Sequence, residues 1–146
     1  WTSTKGYTIE VPKGFVKKEA VGANVDFKAV EGNNSVVIAV RNLPSEYYSA
    51  TIWDITGNLE TFVSQWEQGA NEFMDNPQVI KFGKTSIDQI DAFWMDYKTD
   101  RPPLYSKAYQ AKRGNKLYVL TFTCSESEIN HYNTLWFRFV NQFSFR

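Results

Sequence analysis

Apolar and polar residues alternate with period two along most of this chain, and the alternation gives way twice to a helical period. Tyr7-Thr8-Ile9-Glu10-Val11 alternates and ends at Pro12, with a turn at Lys13-Gly14. Val25, Phe27 and Ala29 alternate with Asp26 and Lys28. Gly32-Asn33-Asn34 then forms a tight turn into Ser35-Val36-Val37-Ile38-Ala39-Val40. That second strand is apolar on both faces, so it is expected to be central and covered on both sides. Strands resume at residues 78–84 and 87–97, where Phe93, Met95 and Tyr97 share a face. After the breaker Asp100-Arg101-Pro102-Pro103, residues 105–112 and 116–124 read as a hairpin around Gly114-Asn115. In its last strand Tyr118, Leu120 and Phe122 face one way, and Leu117 and Val119 the other.

Two stretches carry a helical stripe. Asn58 is a good N-cap for the first, with Leu59, Phe62, Val63, Trp66, Ala70, Phe73 and Met74 on one side and Asn76-Pro77 as its stop. The second opens with Ser125-Glu126-Ser127-Glu128, the pattern of a capping box. Its stripe is Ile129, Tyr132, Trp136, Phe139, Val140 and Phe143. These elements predict an α+β fold: an antiparallel sheet with helices packed on both faces, a three-layer α/β/α sandwich. No repeat or linker divides the chain, so residues 1–146 are expected to form a single domain.

Composition narrows the partners. Sixteen Lys and Arg balance sixteen Asp and Glu, so the net charge is zero. A nucleic-acid surface needs a basic excess, because neutralising phosphates supplies most of its affinity. Lys17-Lys18 and Lys112-Arg113 are too short for such a surface or for a polybasic membrane patch. Aromatic residues make up 16% of the chain, which excludes a disordered segment and predicts a core of large rings. The single cysteine, Cys124, excludes an intramolecular disulfide. No run is long enough to cross a membrane as a helix. The start at Trp1, without a methionine, points to removal of a leading segment and so towards export.

Three stretches resemble the Mog1/PsbP-like fold group, which includes DcrB-like bacterial lipoproteins. They are the opening Gly6-Tyr7-Thr8-Ile9-Glu10-Val11-Pro12-Lys13-Gly14-Phe15, the helix start Asn58-Leu59-Glu60-Thr61-Phe62, and Lys116-Leu117-Tyr118-Val119-Leu120-Thr121-Phe122-Thr123-Cys124. An acidic-capped helix and the closing Asn141-Gln142-Phe143-Ser144-Phe145 follow the third. Members of this group are mostly not enzymes; they include assembly factors for photosynthetic complexes, a nuclear-transport regulator, and periplasmic or lipid-anchored proteins. The resemblance implies a non-catalytic, exported binding or assembly module whose partner is another protein or a small ligand. Fold alone does not transfer function, and no family binding residue is carried over.

The chain's chemistry is sparse. A zinc site needs about four N or S ligands, and only His131 and Cys124 are present. Cys124 continues the period of Tyr118, Leu120 and Phe122, which marks it as a small buried apolar residue rather than the nucleophile of a Cys124/His131 pair. No Gly-x-Ser-x-Gly elbow and no glycine-rich phosphate loop occurs. Glu67 with Glu72 and Asp88 with Asp91 lie in polar surroundings, unlike the buried acid of a glycosidase. The Asp88, Asp91, Asp96, Asp100 segment is the one basis for an alternative, a metal-dependent or carboxylate-based hydrolase. No catalytic residue, metal ligand or cofactor site is assigned.

One segment stands apart. Residues 42–57 form a long connection holding Pro44, Tyr47, Tyr48, Ile52 and Trp53, and the rings obey neither period. A connection of this length is functional or has structure of its own. Tyr47, Tyr48 and Trp53 either plug the end of the sandwich or border a binding surface, and they are the candidate binding residues.

Overall fold

Hairpins build the sheet, and their turns fall where the backbone accepts a positive φ. The computed structural model describes residues Trp1–Arg146. The chain opens with two short strands, β1 (Thr2–Ser3) and β2 (Tyr7–Thr8), then β3 (Val16–Lys18), β4 (Val25–Glu31) and β5 (Asn34–Asn42). Helices α1 (Ile52–Thr56) and α2 (Leu59–Ala70) follow. The long strands β6 (Gln78–Ile87), β7 (Ile90–Lys98), β8 (Leu104–Arg113) and β9 (Lys116–Ser125) come next, and α3 (Ile129–Asn141) and β10 (Ser144–Phe145) close the chain.

Seven strands lie in the order β3-β4-β5-β9-β8-β7-β6, every neighbouring pair antiparallel. Gly32 (φ 58°) and Gly114 (φ 61°) each stand first in a two-residue turn, the position where a II′ hairpin demands glycine. The β6–β7 turn uses Asp88 (φ 47°) and Gln89 (φ 67°) instead, two positive angles in succession, as a type I′ turn requires. That hairpin is continuous from Gln78 to Lys98, longer at its first strand than residues 78–84 alone predict. The strands β1, β2 and β10 form a separate three-stranded sheet.

Helix α3 and the small sheet cover one face of the large sheet. Val36, Ile38 and Val40 of β5 lie beside Phe122, Leu120 and Tyr118 of β9 and join Tyr132, Trp136, Phe139 and Phe143 in one buried cluster. On the other face, Leu43, Ile52, Phe93 and Leu117 pack beneath α1 and the start of α2, with Leu59 and Phe62 against them. Met95, Tyr97 and Ala108 pack beneath Trp66 and Met74. The architecture is α+β with helices on both faces of an antiparallel sheet, as the periodicity predicts.

Four details correct the sequence-based expectation. Helix α2 ends at Ala70, six residues before Asn76, so Phe73 leaves the stripe and is 72% exposed. Ser125 makes no side-chain cap; residues Glu126–Glu128 form a 3₁₀ turn before α3 starts. The opening strand shrinks to Tyr7–Thr8, because its only partners are the two-residue strands β1 and β10. Strand β5 is central, yet Val37 and Ala39 on its second face are only half-buried, because the cover of α1 and α2 runs from β6 only as far as β9.

Trp136 is fully buried and Phe73 is not, so their truncations should differ sharply. Trp136→Ala should cost about 3–5 kcal/mol in urea unfolding, while Phe73→Ala should stay within about 0.5 kcal/mol of the parent. Equal losses would mean that α3 is misplaced or that α2 runs on past Ala70.

Candidate functional site

The connection between β5 and α2 is held at two apolar anchors. Leu43 is buried and its N–H donates to the Asn115 carbonyl at 2.8 Å; Ile52, the first residue of α1, is buried nine positions later. Pro44 starts a single 3₁₀ turn, Ser45–Tyr47, in which the Tyr47 N–H donates to the Pro44 carbonyl at 3.0 Å. Thr51 then caps α1: its hydroxyl accepts from the Asp54 N–H at 3.1 Å, and the Asp54 carboxylate accepts from the Thr51 N–H at 2.9 Å. That reciprocal box also holds the Asp54 carboxyl below its ordinary range, through the Thr51 backbone bond first. A capping box therefore does occur in the chain, at Thr51-Ile52-Trp53-Asp54 rather than at Ser125.

With Leu43 and Ile52 facing the core, the tyrosines between them face outwards. Tyr47 is 40% exposed and Tyr48 is 50% exposed. Tyr47 lines an open cavity of about 440 Å³ with Arg41, Asn42, Leu43, Pro44 and Ile55. The Tyr48 carbonyl accepts from Lys112 Nζ at 2.9 Å, which ties the turn to β8. Trp53 differs: it is half-buried against the Leu43–Ile52 cluster, and Lys84 Nζ of β6 lies 4.7 Å from its ring centre. The structure thus brings Tyr47 and Tyr48 together on one exposed turn and directs Trp53 towards β6.

The carboxylates behind the hydrolase alternative do not converge. Asp88 stands in the β6–β7 turn and accepts from the Phe145 N–H at 2.9 Å; Asp100 lies beyond the far end of β7 and accepts from Asn76 Nδ2 at 2.8 Å. The strand between them is nine residues, roughly 30 Å. No cluster of three or more His, Cys, Asp or Glu side chains is close enough to hold a metal ion. His131 is exposed and Cys124 is buried under α3. Burial, and then the Glu128 charge, push the Cys124 thiol up to about 11.

Sequence periodicity missed a set of long-range tyrosine–carboxylate bonds. Tyr7 and Ser3 both donate to Asp26 Oδ2, at 2.7 and 2.5 Å. Tyr132 of α3 donates to Glu31 at 2.7 Å and accepts from Asn34 at 2.6 Å. Tyr105 donates to Asp96 at 2.6 Å, and Lys107 and Lys81 flank the same buried carboxylate at 3.5 and 3.9 Å. Burial first, and then the neighbouring carboxylate, raise the phenols of Tyr7, Tyr105, Tyr109 and Tyr132; those of Tyr109 and Tyr132 reach about 12. Asp96 was the one legible signal, a charge set between Met95 and Tyr97 in the apolar middle of β7.

No protein-family model and no curated protein sequence matches the chain. The solved structures do. The cyanobacterial PsbP protein CyanoP of Synechocystis sp. PCC 6803 superposes with a TM-score of 0.75 at 13% identity, over 100% of this chain and 91% of that one. LpqN of Mycobacterium tuberculosis, involved in cell envelope biogenesis, gives 0.61 at 10% identity, over 94% and 82%. PA94 of Pseudomonas aeruginosa, of unknown function, gives 0.58 at 16% identity, over 90% and 81%. The fold is that of the Mog1/PsbP-like group. No helix is long and apolar enough to cross a membrane.

The raised phenols fix the sign of an alkaline dependence. Unfolded tyrosine ionises near pH 10, while the folded chain keeps the Tyr109 and Tyr132 protons to about 12. Their stabilisation is complete below about pH 10 and is lost as pH rises towards 12, because the unfolded state then binds fewer protons. Tyrosinate absorbance should therefore rise together with loss of near-ultraviolet circular dichroism. A complete titration of all eight tyrosines with the fold intact would contradict the tyrosine–carboxylate geometry. Cys124, for its part, should resist alkylation at neutral pH in the folded protein and react fully in denaturant.

Proposed function

We propose that residues 1–146 act as a single non-catalytic binding or assembly module of the PsbP/DcrB-like kind, exported to the cell envelope, with the Tyr47–Tyr48 turn as its docking surface and Trp53 at its border. The observation that carries this reading is the division of labour in the connection. Leu43 and Ile52 supply its core contacts, so Tyr47 and Tyr48 serve no packing role that requires them to be aromatic. Tyrosine offers a large contact area for few rotatable bonds, which suits such a surface. The cavity beside Tyr47 is of a size to seat one side chain of a partner protein or a small ligand. The likeness to CyanoP over the whole chain and to LpqN, a protein involved in cell envelope biogenesis, supports the same reading. The zero net charge argues against nucleic acid as the partner.

Affinity purification of the tagged protein from its own cells, compared across variants, tests the proposal. Tyr47→Ala and Tyr48→Ala should leave unfolding nearly unchanged and weaken the captured complex by ~2 kcal/mol or more. Leu43→Ala should do the reverse in the first measurement, costing about 2–5 kcal/mol of stability. A large stability loss on truncating Tyr48 would assign the ring to the core, and the docking surface would be abandoned.

A further inference from the structure

The two edges of the large sheet are unequal. One edge, β3, is three residues long and carries Lys17 and Lys18. Such brevity is a common protection against unwanted strand pairing. The other edge, β6, is ten residues long and pairs with β7 alone. Outside that ladder, no backbone hydrogen bond reaches residues 80–87. Alternate N–H and C=O groups along this run therefore face outwards without a protein partner. Two apolar side chains stand exposed beside them, Ile80 at 48% and Phe82 at 38%.

The chemistry of this edge selects its occupant. Strand β6 holds Lys81 and Lys84 and no acidic residue. Lys84 lies over the Trp53 ring and has no carboxylate partner; Lys81 reaches Asp96 only at 3.9 Å and stays mostly exposed. Where a bulge interrupts the β6–β7 pairing near Val79, the protein itself places an acid on the strand: Glu67 Oε2 of α2 accepts from the Val79 N–H at 2.7 Å. Beyond that point nothing covers the edge. A second copy of the chain is a poor fit, since antiparallel pairing of β6 with itself gathers four lysines on one short ladder without a carboxylate, and like charges across strands repel. Lys81 stands on the Asp96 face of β6, and Lys84 stands on the opposite face with Phe82. An extended segment with acids on both of its faces satisfies the open backbone groups and both lysines.

We propose that the open edge of β6, residues 80–87, receives an extended acidic segment of a partner protein as an added antiparallel strand, with acidic side chains opposite Lys81 on one face and Lys84 on the other and an apolar side chain against Phe82. Recognition by strand addition draws affinity from main-chain hydrogen bonds and specificity from alternate side chains. This surface is separate from the Tyr47–Tyr48 turn and stands or falls without it.

The probe is a blocked peptide of about eight residues, a typical strand length, repeating Val-Val-Glu-Glu so that each face carries both valine and glutamate. Its control has lysine in place of every glutamate. The acidic peptide should bind and slow amide exchange within residues 80–87, and the lysine peptide should not. N-methylation of one alternate set of peptide amides should abolish binding, and methylation of the other set should be tolerated, since only one set faces β6. The double variant Lys81→Glu with Lys84→Glu should weaken binding by about tenfold or more, whereas Tyr48→Ala should leave it unchanged. The proposal is overturned by no binding, by equal binding of both peptides, by indifference to N-methylation, by protection lying elsewhere than β6, or by a dimer whose β6 amides are already protected.

Discussion

The seat of α3 on β9 is the contact on which the remaining structure depends. Phe122 is fully buried at the middle of the sheet, with ring centres of Trp136 at 5.9 Å, Phe139 at 5.2 Å and Tyr109 at 6.0 Å. Once α3 lies there, its continuation brings Phe143 onto Tyr7, stacked at 5.1 Å, and β10 onto β2. The opening segment is then held by Tyr7 and Ser3 on Asp26 and by the Tyr118 hydroxyl on the Lys5 carbonyl. Two strands of two residues each have no independent stability. They persist because α3 delivers both ends of the chain to the same place.

Geometry then limits what the helices can cover. Seven strands span roughly 29 Å at their ordinary spacing, and a helix is about 10–12 Å wide. Helix α3 and the small sheet occupy the β4–β5–β9–β8 side of one face, and α1 and α2 cover the other face from β6 as far as β9. The cover is diagonal. It leaves Val37 and Ala39 half-buried on the second face of β5 and leaves the outer edge of β6 open. The connection that carries the chain from the first half to the second must cross the end of the sheet, and it does so on Leu43 and Ile52. The tyrosines of that connection are exposed as a result of this crossing, since the core beneath it is already filled.

Periodicity made most of the architecture legible. The stripe of α3, the shared face of Phe93, Met95 and Tyr97, and the Gly32 and Gly114 turns all follow from local pattern, because in each the buried face repeats at the period of its element. Failures came where local pattern competes with what surrounds it. Phe73 keeps the helical spacing of α2, but the helix has ended by then and the backbone has turned away. Ser125 has the sequence of a capping box, yet the 3₁₀ turn at Glu126–Glu128 removes the N-terminal geometry that the box needs. Thr51-Ile52-Trp53-Asp54 has the same signature and forms the box, so α1 was legible within the segment read as irregular. The Tyr7–Asp26 and Tyr132–Glu31 bonds join residues far apart in sequence, where periodicity carries no information. For the candidate site, the sequence marked the segment as a whole but could not separate Tyr47 and Tyr48 from Trp53, because it does not show which ring Lys84 covers.

The claim that matters most is that the Tyr47–Tyr48 turn is a working surface. A photo-crosslinking amino acid placed at position 48 in living cells reads this directly, with the same group at exposed Glu19 as the comparison. Position 48 should give one discrete adduct and position 19 none. No adduct at position 48, or the same adducts from both positions, would contradict it.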